Sequence, residues 1–417
     1  LQVRNQMVAI ERLLTKIRPG DAHIPVFGRL KVTHGKGFTE RDYGIFETTY
    51  GRLSVLEKKY FNAFTGFIAR EHWLAKTGDE GSDNAHGHAA LWRNSFGDKQ
   101  QQFSILSHLE ILENRADQPD PCIIFQKTEH TNPLANFRVG DIAVLYPALD
   151  ASDTVLQHQV IKCTISELSN THVTVQPRYR QFNLISFETE GSWCLEPDLM
   201  DTGFAAQYRG LLEWADTTPE RRALLMGATP PRPPEEQPET KEPATNPLWQ
   251  NLIHSRDYFL LWGPPGTGKT SVLLRDLAAW VLSDTSDNLL LLAYTNRAVD
   301  EICDALDSIG GDIREQYIRI GGKHSTAERF RPQLLSVRIA PAKTRAELRA
   351  ALEGRRIFVS TVASFGQNDG LLRLKKFQRL IVDEASQILE PQLIGLLTRF
   401  EHTILIGDHR QLPAITV

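Results

Sequence analysis

An α/β domain with a phosphate-binding parallel sheet, preceded by a helical stalk and a small β-barrel, is the architecture this sequence predicts. Three observations predict it. Gly263-Pro264-Pro265-Gly266-Thr267-Gly268-Lys269-Thr270 lies between an apolar run, Tyr258-Phe259-Leu260-Leu261-Trp262, and a helix start at Ser271-Val272-Leu273-Leu274. Apolar runs at 258–262, 289–293, 357–361, 379–382 and 403–406 alternate with helix-like stretches such as 297–308 and 343–353, the pattern of a parallel sheet wrapped by helices. Upstream, short strand-like stretches separated by polar turns suggest a barrel.

The N-terminal residues 1–53 give no clear reading. A stalk is predicted over 54–117, where Leu56, Tyr60, Phe61, Phe64, Phe67 and Ile68 recur at helical spacing and residues 103–114 repeat that pattern more briefly. Within it, His86 and His88 fall in a Gly/His/Asp-rich stretch that reads as a solvated loop rather than a metal site. The barrel is predicted over 118–197, from strands near Val139–Leu145, Val160–Ile165 and His172–Val175. Residues 198–228 return to helix and close at Met226-Gly227, a plausible C-cap. Residues 229–246, rich in Pro and Glu and poor in apolar side chains, read as a linker. The domain carrying the glycine-rich stretch then runs from 247 to 417. Its run Leu289-Leu290-Leu291-Leu292-Ala293 is continuously apolar, as a strand buried on both faces should be.

Strand, glycine-rich turn and helix make the context of a phosphate loop. The glycines let backbone amides converge on phosphates, and the helix N-terminus adds its positive end. The predicted nucleotide-binding set is Gly263, Pro264, Pro265, Gly266, Thr267, Gly268, Lys269, Thr270 and Ser271. Lys269 supplies a point charge and Thr270 a hydroxyl for magnesium. A chance glycine turn is the competing explanation, and four fixed positions in the right context argue against it.

A second constellation narrows the class. Leu380-Ile381-Val382 runs into Asp383-Glu384. There Asp383 can hold magnesium and Glu384 can deprotonate an attacking water. An exposed acidic pair at a strand end is common in isolation, but downstream of a phosphate loop it becomes the minority reading. After the run Thr403–Ile406 comes Gly407-Asp408-His409-Arg410-Gln411-Leu412-Pro413-Ala414, in which Gln411 can hydrogen-bond both a γ-phosphate and the water.

Composition adds bounds. The 417 residues suit roughly two to four domains. Hydrophobic content of 41% and charged content of 24% are ordinary for a globular protein. No apolar run approaches the ~20 residues needed to span a bilayer, and the first residues are too polar for a secretory signal, so a cytoplasmic protein without a membrane partner is expected. The widely spaced Cys122, Cys163, Cys194 and Cys303 read as reduced thiols rather than a metal site. The net charge of −4 does not advertise nucleic-acid binding, although residues 247–417 carry 21 Lys+Arg against 19 Asp+Glu.

Together these motifs resemble the motor of superfamily 1 helicases, in the 1B branch that includes the nonsense-mediated-decay helicase and the replication nuclease-helicase. The phosphate loop is similar to their motif I, Asp383-Glu384-Ala385-Ser386 with Gln387 to motif II, and Gly407–Ala414 to motif III. Ala293-Tyr294-Thr295-Asn296-Arg297-Ala298-Val299-Asp300 is similar to motif Ia, and Val359–Ser364 to the next strand-end motif. The loop alone would also suit an AAA+ ATPase, and motifs II and III argue against that. The resemblance covers 258–417 closely and the order of stalk, barrel and linker more weakly.

The resemblance implies a RecA-like ATPase domain using ATP and Mg²⁺, with Lys269, Glu384 and Gln411 as catalytic groups and Thr270 and Asp383 as metal ligands. It implies contacts from Thr295, Asn296, Thr361 and Ser364 to the phosphates of a single strand, expected to be DNA and travelled 5′→3′. Helix N-capping by Thr295 and Ser364 is an equally good reading of their spacing. A translocase or remodeller that never separates strands, and a binding module regulated by ATP, are the alternatives. Two departures stand out: no glutamine motif lies at the expected distance upstream, Gln250 being too close to Gly263, and the sequence stops just after motif III. With Leu1 as the first residue the chain reads as a fragment or a processed product, and a second RecA-like domain and any nuclease domain are expected outside it. This chain alone is accordingly expected to bind ATP far better than it hydrolyses it.

Overall fold

The computed structural model describes residues 38–78, 89–148, 155–188, 191–198, 202–234, 247–264, 266–366, 369–411 and 414. Most of segment 1–53, His86, His88, the linker from residue 235 to 246, Pro265, Leu412 and Pro413 lie outside them. The chain divides into two compact units, one formed by residues 1–70, 202–316 and 352–414 and the other by 71–201, 317–351 and 415–417.

The second unit contains a closed antiparallel barrel of six strands: β1 (Leu106–Arg115), β2 (Cys122–Lys127), β3 (Ile142–Ala148), β4 (Ile161–Leu168), β5 (His172–Pro177) and β6 (Ser192–Pro197). Their order around the barrel is β1-β2-β5-β4-β3-β6. Alternate side chains point inward, so Leu109, Ile123, Phe125, Leu145, Cys163, Ile165, Val173, Val175, Trp193 and Leu195 form one apolar core. Next to Tyr146 and Cys194 a buried ion pair joins Lys99 Nζ to Glu196 at 2.9 Å, and Tyr146 donates its hydroxyl to the same carboxylate at 2.5 Å. Burial of that carboxylate is compensated by both contacts.

Residues 103–114, predicted as helix, are for the most part strand β1, and they close the barrel. The reason is irregular pairing: register shifts between Leu106 and Leu109 and between Ile111 and Glu113, with His108 at φ 55°, break the two-residue alternation. The remaining spacing of Leu106, Leu109 and Leu112 imitates a helix. The same unit includes β9 (Tyr317–Ile320).

In the first unit five parallel strands, β7 (Asp257–Trp262), β8 (Leu289–Ala293), β10 (Ile357–Thr361), β11 (Arg379–Val382) and β12 (His402–Gly407), are ordered β7-β12-β11-β8-β10. Each coincides with one of the apolar runs. All five residues of β8 and of β10 are buried, which is why these runs are continuous rather than alternating. The fold is therefore α/β and RecA-like, with a helical stalk and a barrel preceding the sheet in sequence.

Within this unit, Phe46, Leu53, Phe61 and Ile68 pack with Tyr208, Leu211 and Trp214. The helix predicted within 198–228 is two helices, Thr202–Asp216 and Pro219–Leu225. Pro219 lacks the N–H needed to continue the first, and Thr218 caps the second by accepting from Arg221 N–H at 3.3 Å. Gly227 follows at φ 71°, the left-handed conformation that ends many helices. The start of the predicted linker is held in place, because the Arg232 guanidinium and N–H both bond Asp257. Among the described residues no helix is long and apolar enough to cross a membrane. The four cysteines are free thiols, and Cys163, Cys194 and Cys303 are buried.

Candidate nucleotide site

Parallel strands place every motif at one edge. β7, β8, β10, β11 and β12 end at Trp262, Ala293, Thr361, Val382 and Gly407, and the register pairs Trp262 with Gly407 and Val382 with Leu292. Loops at the carboxyl ends of such strands are where open α/β sheets bind ligands.

The chain leaves β7 at Gly263, whose N–H donates to Gly407 O at 3.0 Å. A methyl group on Gly263 would lie 2.5 Å from Cγ and Cδ of Lys269, so the lysine stem crosses directly over this glycine. Gly266 and Gly268 have φ of 76° and 77°, which glycine adopts without steric cost. Thr267 Oγ1 donates to Pro264 O at 2.8 Å and closes the turn. Residues Lys269–Leu274 then form a wide π-type turn, with Leu273 N–H reaching back to Gly268 O at 3.1 Å, before the regular helix Arg275–Asp284. Ser271 is exposed at the start of this turn.

Asp383 is buried just past the end of β11. Thr270 Oγ1 donates to its Oδ2 at 2.6 Å, and Glu384 N–H donates to its Oδ1 at 2.9 Å. Glu384 has φ 53°, a left-handed conformation uncommon outside glycine. Burial pushes the Glu384 carboxyl above the usual carboxylate range, and the charges of Asp383 and Glu301 push the same way, against the pull of Lys269. The result is a stronger base than an exposed glutamate.

Asp408 links motifs I and III. It accepts from Trp262 Nε1 at 2.8 Å, from Arg410 N–H at 3.0 Å and from Gln411 Nε2 at 3.1 Å. The indole bond, with the others, holds its carboxyl below the ordinary range. Ser386 Oγ accepts from Asp408 N–H at 3.2 Å, tying motif II to motif III. The sequence reading gave Trp262, Ser386 and Asp408 no separate role. No local pattern could pair Trp262 with a residue 146 positions away.

The four residues assigned to nucleic acid lie at or just past the ends of β8 and β10. Thr295 is exposed and caps the helix Asn296–Asp307, accepting from Ala298 N–H at 3.1 Å. Asn296 opens that helix. In the second pair the capping hydroxyl is that of Thr361, which accepts from Ser364 N–H at 3.0 Å. Ser364 is thus the residue whose amide is capped, and Thr361 is buried.

A phosphate loop, a threonine–aspartate pair and a glutamine at the carboxyl edge of one sheet are the features of a P-loop NTPase, and the motifs resemble those of superfamily 1B helicases. Residues 244–343 and 336–417 match the family model described as an AAA domain. The chain is 27% identical over 272 residues to the DNA replication ATP-dependent helicase/nuclease JHS1 of Arabidopsis thaliana, covering 60% of this chain and 20% of that protein. It is 24% identical over 389 residues to the DNA replication ATP-dependent helicase/nuclease DNA2 of Mus musculus, covering 88% of this chain and 34% of the relative. With DNA2 of Homo sapiens it shares 32% identity over 171 residues, 40% of this chain and 15% of the relative. The chain thus spans between 15% and 34% of the length of these relatives.

Proposed function

We propose that this chain supplies the ATP-binding half of a helicase or translocase motor that moves 5′→3′ along single-stranded DNA. The observation that carries the reading is the 2.6 Å contact of Thr270 with Asp383, with Glu384 as its chain neighbour. In this reading the loop amides and Lys269 hold the phosphates. Thr270 and Asp383 hold Mg²⁺ directly or through water, and the metal when bound neutralises phosphate charge. The residues fit such a group: Gly263 leaves a cradle that a Cβ would fill, and a hydroxyl and a carboxylate, oxygen donors suited to a hard cation, already converge. Glu384 takes the proton of the attacking water. Gln411, held by Asp408, senses the γ-phosphate and passes its state to Trp262. Thr295, Asn296, Thr361 and Ser364 line the strand-facing edge, where Thr295, already accepting a cap bond, keeps its own hydroxyl hydrogen for a phosphate oxygen.

The relatives are named as helicases and nucleases of DNA replication. Only the helicase part of those names enters this proposal. A binding and turnover comparison in the protein that carries this chain tests it. Lys269→Ala should weaken an ATP analogue about 10- to 100-fold, from the ~1.5–3 kcal/mol of a hydrogen bond to a charged group. Glu384→Gln should keep binding and lower DNA-stimulated hydrolysis by about 10²- to 10⁴-fold. Undiminished turnover by Glu384→Gln would remove its assigned role. Streptavidin displaced only from 5′ ends of biotinylated strands would overturn the direction.

A further inference from the structure

Four large apolar side chains that stand exposed, Tyr179, Phe182, Leu184 and Ile185, fall within seven residues of the barrel's β5–β6 connection. Tyr179 is 77% and Phe182 75% exposed, and Ile185 is 73% exposed. Leaving such rings in water is unfavourable, and a patch of this kind marks an interaction site. The backbone beneath them is fixed. Arg178 N–H donates to Lys162 O at 2.9 Å and Gln181 N–H to Ala116 O at 2.8 Å, and Gln181 Nε2 donates to Tyr179 O at 2.9 Å. The rings are therefore presented by a held frame.

Within the run that carries them the charges have one sign, with Asp117, whose carbonyl Arg180 bonds, and Glu188 standing outside it. The run Arg178-Tyr179-Arg180-Gln181-Phe182-Asn183-Leu184-Ile185 holds two arginines and no carboxylate. Arg180 donates through Nε and Nη2 to Asp117 O at 3.0 and 2.7 Å and lies over the Phe182 ring, 5.0 Å from its centroid. A carbonyl and a ring hold its charge in place without cancelling it. Lys162 and Arg178 differ, since both face the buried carboxylate of Asp198 at 3.0 and 3.8 Å. Their charge is largely spent inside the barrel, which leaves Arg180 and the two rings as the groups offered to a ligand.

We propose that Tyr179, Phe182 and Arg180 form a stacking site for the unpaired bases of a single strand. Aromatic rings interleaved with arginine are the recurring means of holding single strands without reading sequence, the rings stacking on bases and the cation serving the phosphates. A protein partner is the other class that exposed rings could serve. The exposed cation of Arg180 over the Phe182 ring, and the lack of any carboxylate among these eight residues, favour a polyanion. The inference deepens the functional proposal above and rests on it for the presence of a strand.

Fluorescence anisotropy with a labelled oligothymidylate and an abasic strand of the same length tests it. Tyr179→Ala and Phe182→Ala should each weaken the thymidylate between about fivefold and a hundredfold. They should leave the abasic strand unchanged and leave the slope of affinity against salt unaltered, since no phosphate contact is removed. Arg180→Ala should instead flatten that slope. Both rings are exposed, and unchanged affinity for an ATP analogue in each variant would show that it has folded. Thymidylate binding by the variants equal to that of the unaltered protein overturns the proposal and assigns the rings to a protein partner. Equal loss on thymidylate and abasic strands also overturns it, in favour of a backbone grip. Should the unaltered protein bind neither strand while still binding nucleotide, the functional proposal itself fails, and the stacking site with it.

Discussion

Thr270 Oγ1 and Asp383 Oδ2 lie 2.6 Å apart although 113 residues separate them in the chain. The contact joins the first turn after the phosphate loop to the end of β11, so the hydroxyl and the carboxylate are in place before any ligand arrives. Such preorganisation spares binding the cost of ordering two side chains. Thr270→Val keeps the shape, removes the hydroxyl and leaves Asp383 short of a donor. The expected outcome is an affinity for the magnesium complex of an ATP analogue lower by about tenfold, with affinity for metal-free ADP changed much less. Equal losses with and without magnesium would show that the pair serves the loop's structure rather than a metal.

Gly263 gives a separate test of the loop. Its added methyl would strike the Lys269 stem at 2.5 Å, and the lysine is the part that can move. Gly263→Ala should therefore displace the ammonium rather than unfold the domain. Analogue affinity should fall about tenfold, while the urea midpoint stays within experimental error. A large loss of stability with normal nucleotide affinity would mean that the strand, not the lysine, had yielded.

Much of this site was legible because the physics is local. Five strands stood out as unbroken apolar runs, β8 and β10 because they are buried on both faces, and the phosphate loop stood out because Gly266 and Gly268 sit at positive φ. What stayed hidden depends on long-range pairing or on an interrupted pattern. β9 was missed because Arg319 stands within Tyr317–Ile320; that arginine is buried, and its Nη2 reaches Ser325 O at 3.3 Å. β1 was misread because its bulges leave leucines at helical spacing. The Trp262–Asp408–Gln411 chain could not be seen at all, since its bonds cross from β7 to β12. Capping by Thr361 rather than Ser364 turned on where the helix Val362–Gly366 starts, a boundary that spacing does not resolve.

The packing of the Thr202–Asp216 helix on the Glu390–Leu397 helix rests on two glycines. A methyl on Gly395 would lie 2.4 Å from the Cα of Gly210, backbone against backbone, so neither side can give. Arg399, just past the second helix, pairs with Glu213 on the first, and Tyr60 of the Val55–Thr77 helix donates to Glu390 at 2.5 Å. Gly395→Ala should force the helices apart and destabilise the domain by about 1–3 kcal/mol, read from urea denaturation. Gly66, on the Val55–Thr77 helix, has open space around its Cα, so Gly66→Ala should be neutral or mildly stabilising, by up to ~1 kcal/mol. Similar effects of the two substitutions would show that the helix contact adapts.

Asp257 opens β7 at φ 64°, and its carboxylate accepts from Arg232 through Nε at 3.0 Å, Nη2 at 2.7 Å and the backbone N–H at 2.9 Å. Arg221 adds a second cation at 3.8 Å. The side-chain bonds from Arg232 lead in holding this carboxyl below the usual range, ahead of the opposing effect of burial. A carboxyl lowered on folding stabilises the native state above its unfolded value of about 3.9 and loses that contribution as pH falls through the folded value. Asp257→Asn keeps the size and tolerates the left-handed backbone, but it removes the charge. At pH 7 the variant should be less stable by about 1.5–3 kcal/mol, the scale of hydrogen bonds to a charged group. The gap should narrow as the pH is taken below about 4, where the unfolded aspartate takes up its proton before the native one does. Urea denaturation of both proteins from pH 7 to pH 3 reads the difference. A gap that stays constant over that range would assign the loss to altered packing at the strand start, and the ion pair with Arg232 would contribute nothing measurable.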